Sequence, residues 1–333
     1  MESNERQDAM ARANPSQEAL EKAERAAAGE GPPFRRVLVP LDGSRLAETV
    51  LGIATRLADA CGASIILLHI IEKNAPAAVH GERHLSDTAS AEAYLADLAR
   101  QLGGNERSIE WHTHEVPVGD VAASIADHAL EYDVDLIVLC THGSGGLREV
   151  IWGSIAQQAL QLSRVPVLIG RARKDTAQEP FVPQTIMVTL DATPVAEAAL
   201  PPAAGLARCL GARLRLVMVV ATSSTLSRAQ SPAAALMPIA TEAILDLEEQ
   251  QATDYLERLA DTLRSAGIGA VAEVRRGSPV GELAQDTGEH RDGLVVSATH
   301  GRAGLQAIWT SSVAGGLLKR TRAPVLLIPI VES

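Results

Sequence analysis

The residues best suited to chemistry stand in one stretch, Cys140-Thr141-His142-Gly143-Ser144-Gly145-Gly146, completed by Gly153-Ser154-Ile155. Glycine has no Cβ, so a Gly-rich turn lets backbone N–H groups converge on an anion. Gly153 and Ser154 then open a helix over residues 155–162, whose positive N-terminal end would face the same anion. Gly143, Gly153 and the Ser154 hydroxyl therefore read as a phosphate cradle. It is not a P-loop, since no Gly-Lys-Ser/Thr supplies the lysine that such enzymes set on the phosphates. The stretch occurs twice. Ala298-Thr299-His300-Gly301-Arg302, closed by Ser311-Ser312, repeats it at a constant offset. In this copy Ala298 stands for Cys140 and Ser311 for Gly153, so side chains intrude where backbone should approach phosphate. Gly301, Arg302, Ser311 and Ser312 keep a weaker anion-binding set.

Asp42 and Asp191 each follow the first strand of a half. Open α/β sheets bind ligands at the carboxyl ends of their strands, at the point where strand order reverses. Asp42 thus reads either as a helix cap or as a ligand to a phosphate-bridged Mg²⁺, which commonly takes one or two carboxylates. His142 and His300 flank the turns with no acid or nucleophile at a recognisable spacing, and read as turn residues rather than catalytic bases. His112 and His114 share one face of a strand. With no third ligand evident, they read as a solvated or half-buried strand face rather than a metal pair.

The elements that position these residues alternate. Leu136-Ile137-Val138-Leu139, four apolar residues with no helical period, reads as a strand buried on both faces. Before it come strands at 36–41, 63–71 and 108–116, with helices at 44–60, from about 86 to 102, and after Gly119-Asp120. Residues 165–169 form the last strand of the first half. After a charged, proline-bearing linker the cycle restarts: strand 185–190, helix 195–210, strand 213–220, a long helix from about 241 to 265, strand 271–275, the second Gly-rich element, and strand 324–330. On the long helix Ile244, Leu247, Ala252, Leu256, Leu259 and Leu263 read as the core stripe. Strand–helix alternation predicts doubly wound parallel sheets. The domains fall at 34–171 and 184–333, with 172–183 as linker. Residues 1–33 are polar, with no clear apolar stripe beyond a short helix through Ala28, and read as a mobile extension.

Composition sets bounds. The 333 residues are enough for two domains, each with its own core. Aromatics are only 2%, which argues against stacking platforms for nucleic acid, and the net charge of −11 argues against a phosphate-backbone binder. Cys61, Cys140 and Cys209 lie far apart and match neither a disulfide framework nor a zinc pattern. No apolar leader and no run near 18 apolar residues is present, so a cytoplasmic protein with no membrane partner is expected.

Both halves resemble the universal stress protein family, over residues 35–170 and 184–331. ATP-binding members of that family carry Gly, two residues, Gly, nine residues, then Gly followed by Ser or Thr. The first half has Cys140, two residues, Gly143, nine residues, Gly153-Ser154, and the second Ala298, two residues, Gly301, nine residues, Ser311-Ser312. Asp42 and Asp191 match the Asp that ends the family's first strand. The resemblance implies two tandem α/β domains, each with a five-stranded parallel sheet of flavodoxin- or Rossmann-like, adenine-nucleotide alpha-hydrolase-like type. It implies a stress-response regulator that binds ATP or a related adenine nucleotide, with Mg²⁺, chiefly in the first domain. Cys140, His142, Gly143, Gly153, Ser154 and Ile155 would then surround the phosphates. Asp42 would lie near ribose, adenine or metal, and Ile70-Ile71 would offer backbone to adenine. Asp191, Gly301, Arg302, Ser311 and Ser312 would form the weaker second site. Last strands of two such domains commonly pair across a two-fold, so the halves would form a pseudo-dimer within the chain, or the chain a homo-dimer. The missing lysine makes this a binding protein with at most weak ATP hydrolysis. The lost glycines keep open the alternative of a protein-interaction scaffold with both cradles empty.

Overall fold

The structure, a computed structural model, describes residues 17–29, 31–72, 78–79, 82–83, 85, 87–103, 108–117, 120–141, 154–171, 181–226, 236–290, 293–300 and 313–330. The chain forms two compact units, and each gathers pieces from both halves of the sequence. The first comprises Pro32–Val182, His300–Leu305 and Arg322–Ser333; the second comprises Met1–Gly31, Pro183–Thr299 and Gln306–Thr321. The earliest described element, α1 (Gln17–Ala28), belongs to the second unit.

In the first unit, β1 (Arg36–Pro40), β2 (Ser64–Glu72), β3 (Ile109–Val116), β4 (Leu136–Thr141) and β5 (Val167–Arg171) form a parallel sheet in the order β3-β2-β1-β4-β5. Val37 to Val39, Ile65 to Leu68 and Leu136 to Val138 are buried. Helices cover both faces of these strands, which is why they read as unbroken apolar runs rather than alternating ones. The helices are α2 (Arg45–Glu48), α3 (Leu51–Cys61), α4 (Thr88–Leu102), α5 (Val121–Glu131) and α6 (Ser154–Leu162). The helix expected over 44–60 is split at Thr49-Val50. Thr49 Oγ1 donates to Leu46 O at 2.7 Å, and such back-bonding competes with the helical ladder.

In the second unit, β6 (Thr185–Leu190), β7 (Arg213–Val220), β8 (Ala270–Arg276) and β9 (Leu294–His300) are parallel in the order β8-β7-β6-β9. Its helices are α7 (Pro194–Glu197), α8 (Leu200–Leu210), α9 (Pro238–Ser265), α10 (Pro279–His290) and α11 (Val313–Arg320). The helix expected over 195–210 is also split. Pro201 and Pro202 lack the N–H groups that would reach the carbonyls of Glu197 and Ala198. The last strand, β10 (Val325–Ile330), is gathered into the first unit, antiparallel to β5, with Val325 opposite Ile169 and Leu327 opposite Val167.

Two expectations need correction. On α9 the core stripe is Leu245, Ala252, Tyr255, Leu256, Leu259, Ala260 and Leu263, whereas Ile244 and Leu247 are exposed. Near its start the helix follows an acidic outer face, where Arg276 pairs with Asp246 at 3.0 Å and Glu249 at 3.5 Å. The N-terminal segment is also not wholly a loose extension. From residue 17 it forms α1, which packs on α8 and α9 with Ala23 and Ala27 buried. Arg208 donates to Ala26 O, a carbonyl that the helix end leaves unsatisfied, and at 2.8 Å to Gly31 O just beyond the helix. Methyl groups one turn apart give too weak a signal to register as an apolar stripe.

Candidate functional site

The sheet order reverses between β1 and β4. They run side by side, with Val37 opposite Leu136 and Leu38 opposite Ile137, so Leu41-Asp42 and Cys140-Thr141 leave the sheet at the same end. β1 pairs with β2 only as far as Pro40 opposite Leu68, and Leu41 N–H donates to Leu68 O at 2.8 Å. Ile70 and Ile71 therefore run past the end of β1, while β3 continues to pair with them. α6 begins at Ser154, and Ile155 is partly exposed on its first turn. Thus Asp42, Ile70, Ile71, Cys140, Ser154 and Ile155 belong to elements that the fold brings to one end of one sheet. His142, Gly143, Gly153, Gly301, Arg302, Ser311 and Ser312 lie outside the described residues.

Asp42 is built into a turn. Its Oδ1 accepts from Ser44 N at 2.9 Å and from Ser44 Oγ at 2.6 Å, while Ser44 Oγ accepts from Ala47 N at 3.2 Å and so caps α2. Asp191 makes the same arrangement: its Oδ1 accepts from Thr193 N at 3.0 Å and Thr193 Oγ1 at 2.5 Å, and Thr193 caps α7. The turn residue differs. Gly43 has φ +85°, and a Cβ there would lie 2.9 Å from Leu85 Cδ1. Its counterpart is Ala192, held at φ 59°. Alanine in that region carries local strain of about 1 kcal/mol or more.

Cys140 turns its sulfur aside. Sγ lies 3.3 Å from Thr49 Oγ1 at the α2–α3 break. Two residues that sequence alone did not single out secure the neighbourhood. His69, fully buried on β2, sets Nδ1 2.7 Å from Leu41 O and Nε2 3.1 Å from Leu85 O. It ties the end of β1 to the residue whose side chain covers Gly43. Glu48, at the end of α2, accepts a bond from Tyr94 Oη at 3.1 Å. The second repeat has a buried equivalent, in which Tyr255 Oη donates to Glu197 Oε1 at 2.9 Å. Burial, and then the neighbouring Glu197 carboxylate, hold the Tyr255 phenol well above its ordinary range. No periodicity marks such pairs, because their members lie on different helices. Among the described residues, no group of three or more His, Cys, Asp or Glu side chains is placed to hold a metal ion. No helix among them is long and apolar enough to cross a membrane.

The strand order, the duplicated turn at the carboxyl end of β1, and the crossovers define a tandem protein of the doubly wound, Rossmann-like α/β class. A model of the universal stress protein family matches residues 33–171 and 183–329, most of the chain, and the chain belongs to that family. It is similar to the universal stress protein YxiE of Bacillus subtilis, 30% identical over 147 residues that make up 41% of this chain and 99% of YxiE. The Synechocystis universal stress protein Sll1654 is 33% identical over 136 residues, covering 41% of this chain and 85% of that protein. Each of these relatives thus corresponds in length to one repeat. A crystal structure of a universal stress protein from Archaeoglobus fulgidus superposes with a TM-score of 0.66 at 17% identity, covering 88% of this chain and 98% of that one. That is a likeness of fold.

Proposed function

We propose that this universal stress protein binds an adenine nucleotide, ATP, in its first repeat and acts as a cytoplasmic regulator rather than a dedicated enzyme. The observation that carries the reading is the turn of Cys140 Sγ toward Thr49, 3.3 Å away. The side chain that replaces glycine in the nucleotide pattern is directed onto α2–α3, which leaves the strand ends able to accept a ligand. Gly143, Gly153, Ser154 and Ile155 would hold the phosphates, with Cys140 and His142 at the turn and the N-terminus of α6 favouring negative charge. Asp42 would meet the ribose or a phosphate-bound Mg²⁺, and the backbone of Ile70-Ile71 would meet adenine beyond the end of β1. A bound nucleotide would supply a negatively charged triphosphate whose presence or loss changes the surface at this end of the sheet.

In the second repeat we assign Asp191, Gly301, Arg302, Ser311 and Ser312 a weaker anion site, and the repeat itself the role of partner to the first. The antiparallel pairing of β10 with β5 supports such an intramolecular pseudo-dimer, with a homo-dimer as the second possibility. The strained Ala192 and the side chains of Ala298 and Ser311 favour a degenerate site there.

The test is calorimetric titration of ATP-Mg²⁺ into the full chain and into Gly153→Trp. Micromolar binding at one site, abolished in a variant that keeps its circular dichroism, is the expected result. Two sites would overturn the reading of the second repeat. No heat and no thermal stabilisation by ATP would leave the protein-interaction scaffold as the function.

A further inference from the structure

β5 ends beside the strand that carries the Gly-rich stretch. In register Cys140 stands opposite Gly170, and Thr141, the last residue of β4, stands opposite Arg171, the last of β5. Successive side chains of a strand leave opposite faces of the sheet. The face of Cys140 and Gly170 is covered at the break between α2 and α3. Cys140 Sγ lies against Thr49 there, and a Cβ on Gly170 would come 2.8 Å from Val50 Cγ1 and 3.1 Å from Ile53 Cδ1. Thr141 and Arg171 therefore leave the sheet on its other face.

That other face belongs to α6. The step from β1 to β2 carries α2 and α3, and the step from β4 to β5 carries α6. In the order β3-β2-β1-β4-β5 these steps run in opposite directions across the sheet. Right-handed crossovers then set their helices on opposite faces. α6 begins at Ser154 and runs back toward the start of β5. Its N-terminus, the positive end of its dipole, thus lies at the end of the sheet where Arg171 stands.

A second guanidinium comes from far along the sequence. β10 is antiparallel to β5, and its first residue, Val325, stands opposite Ile169. The residues just before it, Arg322-Ala323-Pro324, therefore run alongside Gly170-Arg171, and Arg322 falls in the same compact unit. Arg171 is half-buried and Arg322 exposed. Partial burial, and then the neighbouring Arg322 charge, hold the Arg171 guanidinium below the ordinary arginine range. Two like charges side by side repel, and an anion that meets both removes the repulsion. In a chain of net charge −11 the pair is a local concentration of positive charge. The other end of the β5–β10 pair lacks it. At the offset that relates His142 to His300, Pro329 takes the place of Arg171 and Arg164 that of Arg322.

We propose that Arg171 and Arg322 grip the outermost phosphate of the nucleotide in the first repeat, so that the site takes a nucleoside triphosphate in preference to a monophosphate. The inference rests on nucleotide binding in that repeat. A guanidinium fork donates two parallel N–H bonds to phosphate oxygens, and bonds between such charged groups are stronger than neutral ones. A monophosphate gives its one phosphate to the Gly-rich turn and the start of α6, and leaves the two arginines facing each other. A longer phosphate chain brings them the charge they lack. The second repeat, with proline in place of Arg171, has no such pair.

The test is calorimetric titration of ATP and of AMP, each with Mg²⁺, into the full chain and into Arg171→Gln, Arg322→Gln and Arg164→Gln, with circular dichroism of each variant. The wild type is expected to bind ATP at least about tenfold more tightly than AMP. Arg171→Gln should weaken ATP binding about tenfold and leave AMP within about twofold. Arg322→Gln should weaken ATP binding about threefold, the smaller loss reflecting its exposure. Arg164→Gln, the matching arginine at the other end of the pair, should change neither by more than about twofold. Because Arg322 is exposed, its replacement keeps the test decisive even if Arg171→Gln fails to fold. Equal wild-type affinities for ATP and AMP would overturn the clamp while leaving nucleotide binding intact. So would ATP affinity that neither arginine moves, or a loss of the same size in Arg164→Gln. No binding of either nucleotide to the wild type would overturn both readings together.

Discussion

Cys140 Sγ and Thr49 Oγ1 lie 3.3 Å apart, joining the carboxyl end of β4 to the break between α2 and α3. The corresponding pair in the second repeat is Ala298 and Ala198, so both partners are lost together. A double-mutant cycle on Cys140→Ala and Thr49→Ala should show coupling of about 0.5–1 kcal/mol in urea denaturation, because these side chains act on each other. Cys140→Ala should leave ATP affinity within about twofold, since the sulfur points toward the helix. A large affinity gain on removing the sulfur would show that it crowds the ligand.

The turn at Asp191 can be relieved. Ala192 sits at φ 59° where the first repeat uses Gly43. Ala192→Gly should stabilise the second repeat by about 0.5–1 kcal/mol, with removal of strain outweighing the added freedom of the unfolded chain. Differential scanning calorimetry reads this as a rise in the corresponding transition. A fall would mean that the left-handed backbone there is not strained.

The two Tyr–Glu pairs differ in burial, and their deletions should differ accordingly. Tyr255→Phe removes a bond to Glu197, which is 4% exposed, and should cost about 1–3 kcal/mol. Tyr94→Phe, in a part-buried pair, should cost less. The pH dependence has a defined sign. Burial and Glu197 raise the phenol's pKa in the folded state, so the folded chain holds this proton more tightly than the unfolded chain. The contribution is complete below the ordinary phenol range near 10 and is lost as pH rises above it. Tyr255→Phe should therefore flatten the alkaline fall in stability above about pH 10.

Arg208 bonds one carbonyl at the end of α1, Ala26 O, and one just past it, Gly31 O. Arg208→Ala should cost about 1–2 kcal/mol and speed proteolytic cleavage near residue 29 relative to the wild type. Equal cleavage rates in the two proteins would show that the guanidinium does not hold α1 in place.

By itself the sequence determined the duplication, the alternation of elements and the strand ends that meet at one end of each sheet. These follow from local pattern: apolar runs without helical period, Asp-x-Ser/Thr caps and glycines repeated at a constant offset. What it could not determine was which residues meet across long separations. Leu245 rather than Ile244 faces the core of α9, and α1 docks through Ala23 and Ala27. The register in which β10 meets β5, Val325 opposite Ile169, also came only from the fold. The strand face expected to be solvated or half-buried became part of a four-ring cluster only when the end of α5 brought His128 to His114 and Tyr132 to His112. Periodicity reports which face of an element is apolar. The partner that covers that face, and the direction in which a side chain such as Cys140 turns, are set by packing between segments far apart in the chain.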